Sequence, residues 1–303
     1  MARARARHGA RCPAHVGLAR AGLAPRSATI SRACPQARRA TLDRAANLIL
    51  GLAAGYHYGD VRPFAVSLER TGFGGRRVLF VSSTTRDLAR IEAHGIETIP
   101  FERPPDLAHV PYNAFRYFLY LDFLRASSGR FGRILLTDVR DVVFQRDPMD
   151  RPWPDGLNVA LEDPRMTVGR CPYTARWLAG HLGQAALDMI ADRPISCSGT
   201  ILGSHEAVLR YLEALAALLL PFNPGKHMAG YDQGVHNHLL HAGRLDPVTC
   251  HDNAGPILTL GHKRETPPID VRGDILNDAG EPAVMVHQYD RMEGLFRHVR
   301  KRF

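Results

Sequence analysis

Three charged side chains, Asp138, Arg140 and Asp141, interrupt the apolar run at the centre of RILLTDVRDVVFQRDP (133–148). Along an extended chain residues i and i+2 share a face, and i and i+3 do not. The two carboxylates therefore converge only if the chain bends after Thr137, a bend that also directs Arg140 elsewhere. Two close carboxylates repel and need a cation. One solution is a hard divalent ion, Mg²⁺ or Mn²⁺, which favours oxygen ligands. The other is a buried salt bridge to Arg140 or another arginine.

The elements that must position this knot follow from periodicity. NLILGLAAGY (47–56) is a buried strand running into a loop, and VRPFAVSLERTGF (61–73) has helical spacing with Gly72 as its stop. RRVLFVSS (76–83) is a strand, and TTRDLARIEAHG (84–95) a helix opened by a capping Thr. IETIPFE (96–102) is a strand, PYNAFRYFLYLDFLRASSGRFG (111–132) a long helix with Asn113 as its cap, and RILLT (133–137) a strand. Strands and helices alternating at this pitch predict an α/β fold, a mostly parallel central sheet flanked by helices. Ligands of such sheets sit outside the carboxyl ends of the strands. Two strand ends stand out, LAAGYHYGD and LLTDVRDV.

With the acidic pair placed at a strand end, RILLTDVRDVVFQRDP resembles the metal-binding segment of nucleotide-diphospho-sugar glycosyltransferases of the GT-A fold. In those enzymes a DxD motif holds Mn²⁺ against the donor diphosphate. Asp141 matches the second Asp of that motif, and Asp147-Pro148 the following turn. The first acid is one position early, giving DxxD with Val139 where an Asp is usual. The resemblance continues in order along the chain, over roughly residues 46–290, and is closest to retaining members. NAFRYFLYLDFL is similar to the preceding helix and puts Arg116 towards the donor. SCSGTILGS (196–204) resembles the segment lining the sugar pocket, with Ser198 and Thr200 offering hydroxyls and Gly199 allowing close approach. GYDQGVHNHLLH (230–241) resembles a helix start at which Asp232 and Gln233 face the transferred sugar; Asp232 can equally be a helix cap. PAVMVHQYD (282–290) resembles a late strand whose His, here His287, is a further metal ligand.

The resemblance implies a single GT-A-like domain over 43–303, with a metal (Mn²⁺ or Mg²⁺) on Asp138, Asp141 and His287. The donor is a nucleotide-diphosphate sugar and the acceptor a hydroxyl of a glycan, lipid or protein. Tyr56, after the first strand, is placed to stack on the nucleotide base. An inverting enzyme would need a carboxylate base near the acceptor, for which Asp163 and Asp232 are candidates. Two other readings stay open. A sugar-phosphate nucleotidyltransferase carries a Gly-rich basic loop after its first strand, whereas LAAGYHYGD has no Lys or Arg before Arg62. A non-catalytic sugar- or partner-binding protein with a degraded site is the other.

Composition excludes more than it assigns. The formal net charge is +9, but residues 1–42 carry nine Arg and no acid, which leaves the rest neutral. The basicity belongs to an Arg/Ala-rich tail, expected to be disordered, and argues against a nucleic-acid-binding face. No stretch is apolar and long enough to span a membrane. Five Cys (12, 34, 171, 197 and 250) form no CxxC pair, which fits a reducing, cytoplasmic setting. The basic end FRHVRKRF (296–303) allows a peripheral membrane contact. HNHLLH lacks an HExxH frame, GFGGRR (72–77) lacks a Walker lysine, and no GxSxG or Cys-His signature occurs.

Overall fold

The computed structural model describes residues 47–127, 131–222 and 224–303. The expected tail over 1–42 lies outside them. In chain order, β1 (Leu48–Leu52) leads to α1 (Tyr58–Arg70), β2 (Arg76–Val81), α2 (Leu88–Glu92) and β3 (Glu97–Pro100). α3 (Tyr112–Ala126), β4 (Arg133–Thr137), β5 (Val142–Phe144) and β6 (Leu157–Leu161) follow. Next come α4 (Pro172–Leu182), α5 (Gln184–Ile190), β7 (Ser196–Ser204), α6 (His205–Leu219) and α7 (Tyr231–His241). β8 (Val248–His251), β9 (Ile257–Thr259), β10 (Met285–His287) and α8 (Glu293–Arg302) complete the chain.

Seven strands form one mixed, mostly parallel sheet in the order β3-β2-β1-β4-β7-β6-β8, in which only β7 runs antiparallel to its neighbours. The expected α/β architecture is therefore present. A second sheet, β5-β10-β9, accounts for the break in RILLTDVRDVVFQRDP. β4 belongs to the large sheet and β5 to the small one, and the charged knot is the crossing between them.

The period of two in the strands sorts the core into layers. Leu48, Leu50, Val78, Phe80, Ile134 and Leu136 face α3, α6 and α7. Ile49, Leu79, Val81 and Leu135 face α1 and β5. A third cluster, including Val143, Leu258, Val286, Leu295, Val299 and Phe303, joins the outer face of the small sheet to α8. No helix of the described residues is long and apolar enough to cross a membrane.

Helix starts differ from their sequence expectations for local reasons. α1 begins at Tyr58 instead of Val61, because His57 and Asp60 form a reciprocal capping box. Val61, Phe64 and Leu68 of this helix are fully buried, each contributing roughly 2 kcal/mol against about 1 kcal/mol for a cap, so packing holds the helix more than capping does. Thr84 does not cap α2: its hydroxyl bonds Ser82 Oγ (3.0 Å), and the helix shortens to start after Asp87, at φ 61°. Asn113 does not cap α3: the cap position lies two residues earlier, at Pro111, and the Asn113 side chain donates to the Ala229 carbonyl (3.3 Å).

Candidate metal centre

Four chain segments meet at one end of the large sheet. β4 ends at Thr137, opposite Thr200 of the antiparallel β7, and the pairing runs on as Asp138 N–H donates to the Gly199 carbonyl (2.8 Å). Because β7 is reversed, its first half lies beside the carboxyl end of β4. Asp141 opens β5, His287 closes β10, and the two are held together by Gln288 N–H donating to the Asp141 carbonyl (2.8 Å). Val139 provides the bend. It is buried against Gly51 of β1, where an added Cβ would come within 2.6 Å of Val139 Cγ2. The extra residue of DxxD is thus an apolar anchor, and the carboxylates on either side of it turn to the same point.

Asp138, Asp141 and His287 form a group that could hold a metal ion, with one ligand atom from each lying within 4.8 Å of the others. His287 Nε2 is 3.3 Å from Asp138 Oδ2 and 3.8 Å from Asp141 Oδ1. The fit extends to the backbone. A Cβ on Gly199 would lie 2.6 Å from Asp138 Oδ2 and 2.8 Å from His287 Nε2, so only glycine leaves this point clear. Two carboxylates and one imidazole nitrogen are a donor set for a hard to borderline divalent ion. Burial pushes the Asp141 carboxyl pKa upward and Asp138 adds to the rise, while His287 opposes it. Burial also favours a neutral His287 ring, but Cys197 and the Asp138 carboxylate outweigh it and raise the imidazole pKa well above the usual range. This pocket rewards positive charge, whether a proton on Nε2 or a metal there supplies it.

The salt-bridge alternative for Asp138 is present, made with Arg116 and not Arg140, and it leaves one carboxylate oxygen to the candidate metal group. Its Oδ1 accepts from Arg116 Nη1, which is buried in α3, while Oδ2 turns to His287. Burial opposes ionisation of Asp138, yet Arg116 and then His287 hold its carboxyl well below the usual carboxylate range. Arg116 Nη2 also lies 3.7 Å from Asp232 Oδ2, the same oxygen that accepts from Ser198 Oγ (3.2 Å). Asp232 is therefore no helix cap: it sits in the first turn of α7, which follows Gly230, and points inward. Burial pushes its carboxyl pKa up to about 6, with Arg116 pulling against the rise.

A cavity of about 310 Å³ opens beside the acidic pair and is lined by Tyr56, Tyr112, Arg116, Asp138, Arg140 and Asp141, among others. That is at the small end for a ligand site. Arg140 was expected to point away. It pairs with Asp290 (2.7 Å) and still borders the cavity, as does Arg291. Of the other candidate site residues, Ser198, Gly199, Thr200, Asp232, Gln233 and His287 are not among the residues that line it. Thr200 is fully buried with no hydrogen-bond partner for its hydroxyl among the described residues, and Gln233 faces Cys197 and Glu162 instead. Asp163, a candidate base, is bound by Arg165 through both carboxylate oxygens (2.8 and 2.5 Å), which lowers its pKa to about 2. Its neighbour Glu162 is the residue that faces inward. The strand-end rule that singled out LLTDVRDV also picks out LNVALED, but it does not say which of two adjacent acids turns in. Two of the three histidines of HNHLLH are structural: His236 bonds Tyr211 (3.0 Å) and Ser196 (2.9 Å), and His241 the Pro194 carbonyl (2.8 Å). Compared with known proteins, the chain matches no family model and no curated protein sequence.

Proposed function

We propose that this chain is a metal-dependent glycosyltransferase of GT-A type, moving a sugar from a nucleotide-diphosphate donor to an acceptor hydroxyl. The observation that carries the reading is the convergence of Asp138, Asp141 and His287 at strand ends beside a cavity that also presents Arg116, Arg140 and Tyr56. A doubly charged diphosphate needs a positively charged floor, and the two cavity-lining arginines beyond Arg116, Arg140 and Arg291, provide one. Asp141, His287 and Asp138 Oδ2 would hold Mn²⁺ or Mg²⁺, which when bound stabilises the negative charge that develops on the leaving diphosphate. Arg116 orients Asp138 by occupying its other oxygen, and adds charge to the same wall. Tyr56 offers a ring face for the base. Ser198 and Arg116 hold Asp232 behind this wall, where its carboxyl orients the arginine.

The test is release of nucleotide from a panel of UDP- and GDP-sugars with and without Mn²⁺. Metal-dependent release is expected from the wild type. Asp141→Ala should reduce it at least about 100-fold, on the scale of losing one preorganised electrostatic contact to the transition state, while circular dichroism stays native. Pyrophosphate-dependent chemistry instead would indicate a nucleotidyltransferase, and an absence of metal-dependent nucleotide binding a non-catalytic protein.

A further inference from the structure

Behind His287, away from the cavity, four side chains form a line: His287, Cys197 and Glu162, which are buried, and Gln233, which is partly exposed. His287 Nδ1 lies 3.6 Å from Cys197 Sγ, and Cys197 Sγ lies 3.8 Å from Gln233 Oε1. Gln233 Nε2 is 3.5 Å from Glu162 Oε1. His287, Cys197 and Glu162 are 0%, 2% and 3% exposed, so these three have few partners besides one another, and water can compete only at Gln233. We infer that Glu162 fixes the direction of this hydrogen-bond relay, and through Gln233 and Cys197 commits Nδ1 of His287 to donating, which leaves Nε2 as the metal-binding nitrogen. This deepens the metal reading of the site and rests on it.

The direction follows link by link. Burial raises the Glu162 carboxyl pKa while the nearby His262 and His287 oppose the rise, and in its ionised form the carboxylate can only accept. His262 Nε2 lies 3.1 Å from the other oxygen of Glu162, close enough for ion-pair attraction although not aligned as a hydrogen bond. The imidazole of His262 is itself engaged by Cys171, which raises its pKa against the effect of burial. Facing Glu162, Gln233 must present its NH₂ group, and its carbonyl oxygen then faces Cys197. A thiol facing a carbonyl donates its proton to it. The sulfur lone pairs are then free to accept from His287 Nδ1–H. Each link is long and weak on its own. What the line fixes is orientation, because reversing any one link would set two donors or two acceptors against each other. Relay polarity is the same whether Nε2 carries a proton or a metal, so the ring does not have to rearrange when a metal replaces the proton. Cys197, Gln233 and Glu162 are positioning residues in this scheme.

The experiment uses the full chain and Mn²⁺ alone. Free Mn²⁺ is titrated by electron paramagnetic resonance in the wild type, Cys197→Ala and the isosteric Glu162→Gln, each checked for a native thermal melt. Without Mn²⁺, the ¹⁵N-histidine spectrum reports whether His287 Nδ1–H is protected from exchange. Both variants are expected to weaken Mn²⁺ binding about 10- to 100-fold, as for other outer partners of metal-bound histidines. The Nδ1–H resonance should be protected in the wild type and lost in Cys197→Ala. Wild-type affinity in both folded variants overturns the relay. If the wild type binds no Mn²⁺, the metal reading falls, and the imidazole resonance alone decides: protection lost in Cys197→Ala sustains the relay, and an unchanged resonance overturns it.

Discussion

Asp232 is a buried carboxyl whose charge is answered by Arg116 and Ser198 Oγ, and its second oxygen, Oδ1, has no hydrogen-bond partner among the described residues. Its acidity carries a stability consequence of definite sign. Its pKa is about 6 in the folded chain against 3.8 unfolded, so the native state binds more protons between those values. Stability from this group is therefore lost as pH rises from about 4 to 6 and stays lost above, by roughly 3 kcal/mol at 1.36 kcal/mol per pH unit. Asp138 works in the opposite sense, because its folded pKa is depressed: its contribution is present above pH 4 and lost in acid. The two are separated by subtraction. Urea unfolding of Asp232→Asn should show a smaller decline than the wild type between pH 4 and 6, because Asp141 and Glu162 with their raised pKa values still contribute, while keeping the acid loss. A difference between the two proteins that does not change over that range would show that Asp232 is not strained. Its sequence neighbours gave no hint of this. GYDQG reads equally well as a cap or a site, and only the packing of α7 against Ser198 and Arg116 decides between them.

At the scale of elements, much was legible and the exceptions share a cause. Alternation of apolar strands and helices gave the α/β sheet, and the rule that ligands sit at strand ends led to DVRD. Three features were not legible: the reversal of β7, the small second sheet, and the inward turn of Val139. All three depend on contacts between residues more than fifty positions apart, such as Thr137 with Thr200 and Val142 with His287. Local periodicity carries no record of such pairings. The DxxD spacing, which differs from the DxD of the enzymes this segment resembles, is a device of this crossing, with Val139 as the plug. It follows that restoring the usual acid fails. Val139→Asp would bury an unpaired carboxylate against Gly51 and Leu79, and should destabilise the protein by several kcal/mol. Val139→Ala should cost only about 1–3 kcal/mol by leaving a small cavity. Chemical denaturation of the two gives the order directly, and a stable, metal-binding Val139→Asp protein would refute the plug.

For the molecule as a whole, the candidate metal site is a joint between two sheets. Asp138 ends a strand of the large sheet, while Asp141 and His287 flank strands of the small one. The small sheet is in turn tied to α1 through α8: Arg62 Nε donates to the Phe303 carbonyl (2.5 Å), and Arg70 Nη1 to the Arg302 carbonyl (3.0 Å). A ligand that binds only the folded joint stabilises it by mass action, by about 2.7 kcal/mol at 100 times its Kd. For a chain of this size that is about 5–10 °C in Tm. Mn²⁺ should therefore raise the wild-type Tm by that amount, and the rise should vanish in Asp141→Ala and His287→Ala. Asp138→Ala is the informative variant. Arg116 already claims one oxygen of Asp138, so this residue has only Oδ2 to give. A reduced but measurable Mn²⁺ shift in Asp138→Ala means that Asp141 and His287 carry the ion while Asp138 ties it to the large sheet. A full shift would mean that the small sheet holds the metal without the joint, and that Asp138 serves only to anchor Arg116.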